Sequence, residues 1–221
     1  MNNLFTFDQQ FGKTIIGTDE AGRGPAAGGV FASAVCFPPR LLKRGLMREL
    51  SILNDSKKLT KKQRESIYDI ILNETINSTV CIEVEEIEQI NILNASLKAM
   101  KLACNNVVAS FSPCEKVAKP DEGFIVLIDG NKLIKDFKHP QKFIIKGDGK
   151  SASIAAASVL AKVTRDRYME ELHEKFPQYN WAQNAGYLTA EHSKAIDKYG
   201  LTPHHRPSFL KKHFERQLNL F

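Results

Sequence analysis

Carboxylates stand at the ends of three apolar runs of this 221-residue chain, and they are the first residues here whose types and spacing can do chemistry. Asp19 and Glu20 follow KTIIG inside the stretch GTDEAGRGPAAGG (17–29), Asp129 closes FIVLID, and Asp148 lies in IIKGDG. If those strands are neighbours, the acids converge, and like charges that close cannot all stay ionised without compensation. A hard divalent cation is the usual compensation, and all-oxygen ligation favours Mg²⁺ or Mn²⁺ over zinc. Any one of these acids alone is ordinary turn chemistry, because Asp before Gly commonly ends a strand. Recurrence at three strand ends turns the reading toward a metal site.

The residues after the first pair add a second element. Neighbours along a strand face opposite sides, so Asp19 and Glu20 serve one site only where the strand breaks, and Gly22, Arg23 and Gly24 supply that break. Glycines there also let backbone N–H groups approach a sugar or phosphate. Arg23 is either a phosphate ligand or a partner in a surface ion pair.

Positioning such acids requires strands alternating with helices, and the pattern delivers them. The spacing predicts strands over 13–17, 28–37, 78–86, 124–130 and 142–149. Thr60 and Gln63 form a capping-box pattern opening a helix to about Asn73. Further helices are expected over 91–109 and 153–176, with a shorter one after GYLTAEH. The fold class is α/β, a central sheet flanked by helices with a helical C-terminal part.

Composition bounds the rest. With 43% hydrophobic and 25% charged residues the chain can bury a core. No apolar run approaches a membrane span, and no secretory signal pattern is visible. Cys36, Cys81, Cys104 and Cys114 have no metal or disulfide spacing, so reduced thiols and a cytoplasmic location are expected. The net charge of +6 suits nucleic acid without specifying it. No interface-like stripe argues against a monomer. A nucleotide-binding G-x-x-x-x-G-K-[ST] loop is absent.

GTDEAGRGPAAG, NDSKKLT, LIDGN, IIKGDGKSASIAAASVLAKVTRDRYM and NAGYLTAEH together resemble the type 2 ribonucleases H, the ribonuclease HII family. The resemblance covers residues 13–209 and implies a ribonuclease H-like fold with a central mixed sheet. It implies a catalytic core over 1–165, a helical region completing the substrate site over 166–216, and a tail over 217–221. The implied activity is endonucleolytic: hydrolysis of the RNA strand of RNA–DNA hybrids and incision 5′ of single ribonucleotides in duplex DNA. A two-metal site of Asp19, Glu20, Asp129 and Asp148 would leave 3′-hydroxyl and 5′-phosphate ends. Asp166 is the rival for the fourth ligand, and is read as structural, pairing with a nearby Arg.

By the same resemblance, Gly22, Arg23, Gly24 and Tyr187 read the junction between ribo- and deoxyribonucleotide at the 2′-hydroxyl. Ser56, Lys57 and Lys58 precede a helix and contact phosphate. Lys146, Lys162 and Arg165 are further backbone-contact candidates, followed by His205 and Arg206. Leu188 departs from the family pattern and bears on local loop shape. The alternative reading is another metal-dependent DNA nuclease of the same fold, resolvase- or transposase-like. Finally, QLNLF resembles the peptide by which bacterial proteins dock on the DNA sliding clamp, with Gln217, Leu218, Leu220 and Phe221 as its contacts.

Overall fold

The computed structural model describes residues 3–38, 49–53, 59–111 and 123–218. Its strands are β1 (Thr14–Ala21), β2 (Val30–Cys36), β3 (Ile76–Ile82), β4 (Phe124–Asp129) and β5 (Gln141–Ile144). Its helices are α1 (Asn3–Gln9), α2 (Lys61–Glu74), α3 (Val84–Ile90), α4 (Ile92–Ala109), α5 (Ala152–Lys175), α6 (Trp181–Asn184), α7 (Ala190–Tyr199) and α8 (Lys211–Leu218).

One mixed five-stranded sheet runs in the order β3-β2-β1-β4-β5. The β1-β2 and β2-β3 pairs are antiparallel, whereas β1-β4 and β4-β5 are parallel. The fold is therefore the mixed sheet flanked by helices that the sequence predicts. Helix α4 covers one face, where Ile16, Ala34, Val126 and Ile128 pack with Ala99, Met100 and Val107. Helix α5 covers the other face. Val35 joins Ala155, Ala156 and Leu160 there, backed by Leu4 and Phe5 of α1 and Ile67 and Ile71 of α2.

Helix α5 is the axis of the molecule, and its alanine run has a packing reason. A Cβ at Gly17 would stand 2.1 Å from the Ser153 carbonyl carbon and 2.2 Å from the Ile154 nitrogen. Backbone meets backbone where β1 crosses the first turn of α5, which only Gly at 17 allows. Two side chains cap that turn: Ser151 Oγ accepts from Ile154 N (3.2 Å), and Asp8 Oδ2 accepts from Ser153 N (2.9 Å). Each such cap contributes about 1 kcal/mol, and the second comes from α1.

Three elements differ from the sequence expectation. Helix α1 lacks the period that would have announced it. The strand expected over 78–86 stops at Ile82, and α3 begins at Val84. Val84 fits the alternation of Val80 and Ile82, yet with Ile87 it forms a buried i, i+3 pair, and the helical spacing prevails. The strand expected over 142–149 ends at Ile144, because Lys146 turns to φ 54° and a 3-10 turn spans Gly147–Gly149. The boundary expected at 165/166 falls inside α5. Beyond it, Tyr179, Trp181, Ala195, Ile196 and Leu210 form a separate small core against Met169 and Leu172.

Candidate active site

Asp19 and Asp129 occupy the ends of two adjacent parallel strands. Thr18 of β1 is in register with Ile128 of β4, which sets the following two residues side by side. Ile15 and Leu127 pack with Ile154 of α5, so odd positions on both strands turn toward that helix, and both aspartates share the parity. Asp148 arrives from β5 on the turn before α5. Asp129 Oδ1 accepts a 2.6 Å hydrogen bond from Gly147 N, tying the β4 acid to the turn that carries Asp148. Three aspartates thus border the start of α5. Glu20 has the opposite parity. The strand, expected to end at residue 17, runs on to Ala21 and stops just before Gly22, so Asp19 and Glu20 both lie within it and face opposite sides.

The electrostatics match this crowding. Asp19 is 5% exposed, and its Oδ1 accepts from Glu20 N at 2.7 Å. Burial, then the charges of Glu20 and Asp129, hold its carboxyl well above the usual carboxylate range, against the hydrogen bond from Ser158. Ser158, on α5, was not anticipated. Its signal is a small polar residue within an alanine-rich helix face that packs on the acidic strand. Among the described residues, no three Asp, Glu, His or Cys side chains stand close enough to grip an ion as they are. Uncompensated repulsion favours that spacing. The donor set itself fits a hard divalent cation: carboxylates only, one desolvated and raised by its neighbours' charge.

Beside the acids, the glycine turn is held from beneath by two buried arginines. Arg165 is 1% exposed and donates to the carbonyls of Gly29 (Nε, 3.3 Å), Ala27 (Nη2, 3.1 Å) and Ala185 (Nη1, 3.1 Å). Arg206 donates to the carbonyls of Gly28 (Nε, 2.8 Å) and Pro25 (Nη1, 2.9 Å). Burial first, then the charge of Arg165, lowers Arg206 to about 10. At Gly22 φ is +99°, and a Cβ would lie 2.2 Å from Arg165 Nε. Among the described residues no backbone–backbone hydrogen bond outside the helices and strands uses the Arg23 or Gly24 amide as donor.

Tyr187 completes this corner. Its side chain is 53% exposed, and a Cβ on Gly24 would meet its Cε1 at 3.3 Å. The C-terminal segments clasp the turn through Ala26 N to Gly186 O (2.9 Å), Gly28 N to His204 O (2.8 Å) and Arg206 N to Ala26 O (2.8 Å). Gly24 and Tyr187 are therefore neighbours, next to the strand that carries Asp19 and Glu20, while Gly22 lies against Arg165.

Other expected site residues fare differently. Arg165 is a correction: its guanidinium serves buried carbonyls, where a phosphate has no access. Arg206 is corrected for the same reason, and His205 is buried with it. Asp166 pairs with Lys162 (2.5 Å), one helical turn away, not with an Arg. Arg23 Nη1 pairs with Glu20 Oε1 at 3.1 Å, the ion-pair alternative, and stays half exposed. Lys146 is exposed beside the Asp148 turn. Ser56, Lys57 and Lys58 lie outside the described residues. In the tail, Gln217 and Leu218 end α8 in helical backbone, and Leu220 and Phe221 lie outside the described residues.

A family model described as Ribonuclease HII matches residues 16–217. The chain is 48% identical over 200 residues to the ribonuclease HII of Acetivibrio thermocellus, covering 90% of this chain and 70% of that protein. Among solved structures, it resembles Bst-RNase HIII in complex with Mn²⁺, at TM-score 0.73 and 16% identity, covering 98% of this chain and 74% of the other. It also resembles the ribonuclease HII of Archaeoglobus fulgidus, solved in complex with PCNA. That match has TM-score 0.66 and 22% identity, covering 87% and 93%.

Proposed function

The chain belongs to the ribonuclease HII family and is thereby a ribonuclease H endonuclease of RNA–DNA hybrids; from this premise we propose that it also incises duplex DNA 5′ of a single ribonucleotide. Cleavage leaves 3′-hydroxyl and 5′-phosphate ends. Asp19, Glu20, Asp129 and Asp148 would hold Mg²⁺ or Mn²⁺ ions, which would supply a lowered water pKa and charge stabilisation for the departing oxygen. Bringing the acids into a cage requires side-chain rotation. The repulsion that raises Asp19 disappears once a cation neutralises it.

The chain's own groups select the bond. The amides of Arg23 and Gly24 offer donors to the 2′-hydroxyl, the group by which RNA differs from DNA at one position, and to the neighbouring phosphate. Tyr187 stacks its exposed ring on the following deoxyribose. The observation that carries this reading is the placement of the Tyr187 ring beside Gly24, where a side chain at 24 would meet it, immediately beyond the acidic end of β1. Lys146 and Arg23, both exposed, guide the phosphate backbone together with the lysines at 57 and 58, a sequence-independent contribution that weakens with salt.

The test is a pair of duplexes differing by one 2′-hydroxyl, incubated with Mg²⁺ or Mn²⁺, with product ends mapped. Incision only of the ribonucleotide duplex, on its 5′ side, is expected. Equal cleavage of both overturns the reading in favour of a DNA nuclease of the same fold.

Residues 217–221 (QLNLF) are further proposed to tether the enzyme to a sliding clamp, raising its effective concentration on replicated DNA in the cytoplasm. The complex of the Archaeoglobus fulgidus relative with PCNA supports a partner of that class. Binding in extended form requires Gln217 and Leu218 to leave α8. Deleting 217–221 is expected to abolish clamp binding and leave cleavage of short duplexes intact; undiminished clamp affinity contradicts the assignment.

A further inference from the structure

A buried chain of aromatic and imidazole groups lies directly beneath Tyr187 and touches none of the acids. Its hydrogen bonds specify where each proton sits. Thr202 N donates to His205 Nδ1 at 2.9 Å, so the His205 proton is on Nε2. That proton points at His192 Nε2, 3.1 Å away, which also accepts from Trp181 Nε1 at 3.1 Å. His192 Nε2 is therefore bare, and its proton is on Nδ1, 2.9 Å from the carbonyl oxygen of Tyr187. Trp181 and His192 are 0% exposed and His205 2%.

The loop this bond holds is otherwise strained. Asn180 and Ala185 adopt φ 52° and 49°, left-handed values that non-glycine residues reach at a cost. The loop carries its own bonds, including Asn184 Nδ2 to Tyr179 O at 2.7 Å and Tyr187 N to Asn184 O at 2.8 Å. The Tyr187 carbonyl also accepts from Thr189 N at 2.9 Å, and among the described residues the His192 bond is the one that joins it to the buried side chains beneath. Through His205, whose backbone bridges Ala27, the same chain reaches the glycine turn.

We propose that His192 is a positioning residue for Tyr187: its Nδ1–H donor, aligned by Trp181 and His205, fixes the tyrosine ring against Gly24 and so sets the preference for ribonucleotide junctions over long hybrids. This rests on the reading of Tyr187 as the junction-contacting side chain. His192 touches no substrate and acts only through the loop.

Two near-isosteric substitutions separate its two nitrogens. His192→Asn keeps a donor near the Nδ1 position and loses the Nε2 acceptor; His192→Gln keeps an acceptor near Nε2 and loses the Nδ1 donor. Loss of one well-placed buried hydrogen bond corresponds to roughly tenfold in rate. We expect His192→Gln to lower kcat/KM on a single-ribonucleotide duplex about tenfold while changing the long hybrid less than about twofold. His192→Asn recovers most of the loss. In a Tyr187→Ala background, His192→Gln adds nothing further.

Ring position is read without substrate from the Gly24 amide NMR signal, which the Tyr187 ring current shifts. His192→Gln moves that signal toward its Tyr187→Ala position, and His192→Asn leaves it near wild type. An unmoved Gly24 signal in a folded His192→Gln protein, or equal loss on both substrates, overturns the positioning role. If Tyr187→Ala leaves the junction preference intact, the junction reading of Tyr187 fails. The Gly24 signal then still decides whether His192 positions the ring.

Discussion

Asp19 is the residue on which the chemistry turns, because it is desolvated and crowded by two further carboxylates. Its carboxyl lies well above the ordinary range, so charging it without a cation opposes folding. Asp129→Asn removes one source of that repulsion while Asn Oδ1 can still accept from Gly147 N. The substitution is expected to raise the melting temperature of the metal-free protein and, at saturating Mg²⁺, to lower cleavage more than about 100-fold, beyond what loss of an outer partner costs. A calorimetric scan and a single-turnover assay on one preparation check both. Ser158→Ala leaves every acid in place but removes a donor from Asp19. A loss within roughly 10–100-fold is expected for such a second-layer partner, and unchanged activity would remove Ser158 from the site.

At the scale of elements, the strand ends and α5 position the site, and they were largely legible. Apolar runs followed by acids marked the ends of β1 and β4, and the alanine run marked a helix pressed against the sheet. Gly17→Ala tests that contact. A methyl 2.1 Å from a backbone carbon forces β1 and α5 apart, and urea unfolding is expected to show a loss of at least about 3 kcal/mol, the upper end for overpacking a core. What sequence could not show were contacts made across long separations. Asp8 capping α5, Ser158 on Asp19, and the two arginines under the glycine turn all join residues distant along the chain. Arg165 was misread because a basic residue on a helix near the site looks the same in sequence whether it faces phosphate or is buried under carbonyls. Val84 was misread because one residue satisfies both a strand's alternation and a helix's i, i+3 spacing.

For the whole molecule, the C-terminal core and the catalytic sheet are joined through the glycine turn, and acid should loosen that join. His205 is lowered from the ordinary 6.5 to about 4, chiefly by burial and then by His192. Between those values the unfolded chain binds the extra proton, so stability rises with pH across the window and is lost as pH falls from about 6.5 toward 4. Asp8 and Asp19, both raised, act in the opposite sense. The comparison of wild type with His205→Asn isolates the histidine: the variant's melting temperature should fall less over that interval. Parallel curves would mean that His205 is not held neutral by the fold.

Carboxylates from β1, β4 and the turn after β5 are proposed to close together around divalent ions beside the glycine turn. Crystals grown with Mn²⁺ and a duplex containing one non-cleavable ribonucleotide test it directly through anomalous scattering. The predicted result is manganese ligated by oxygens of Asp19, Glu20, Asp129 and Asp148, with the scissile phosphate against it and Tyr187 on the adjoining deoxyribose. Manganese bound without Asp19 and Asp129, or a phosphate seated away from them, would contradict the account.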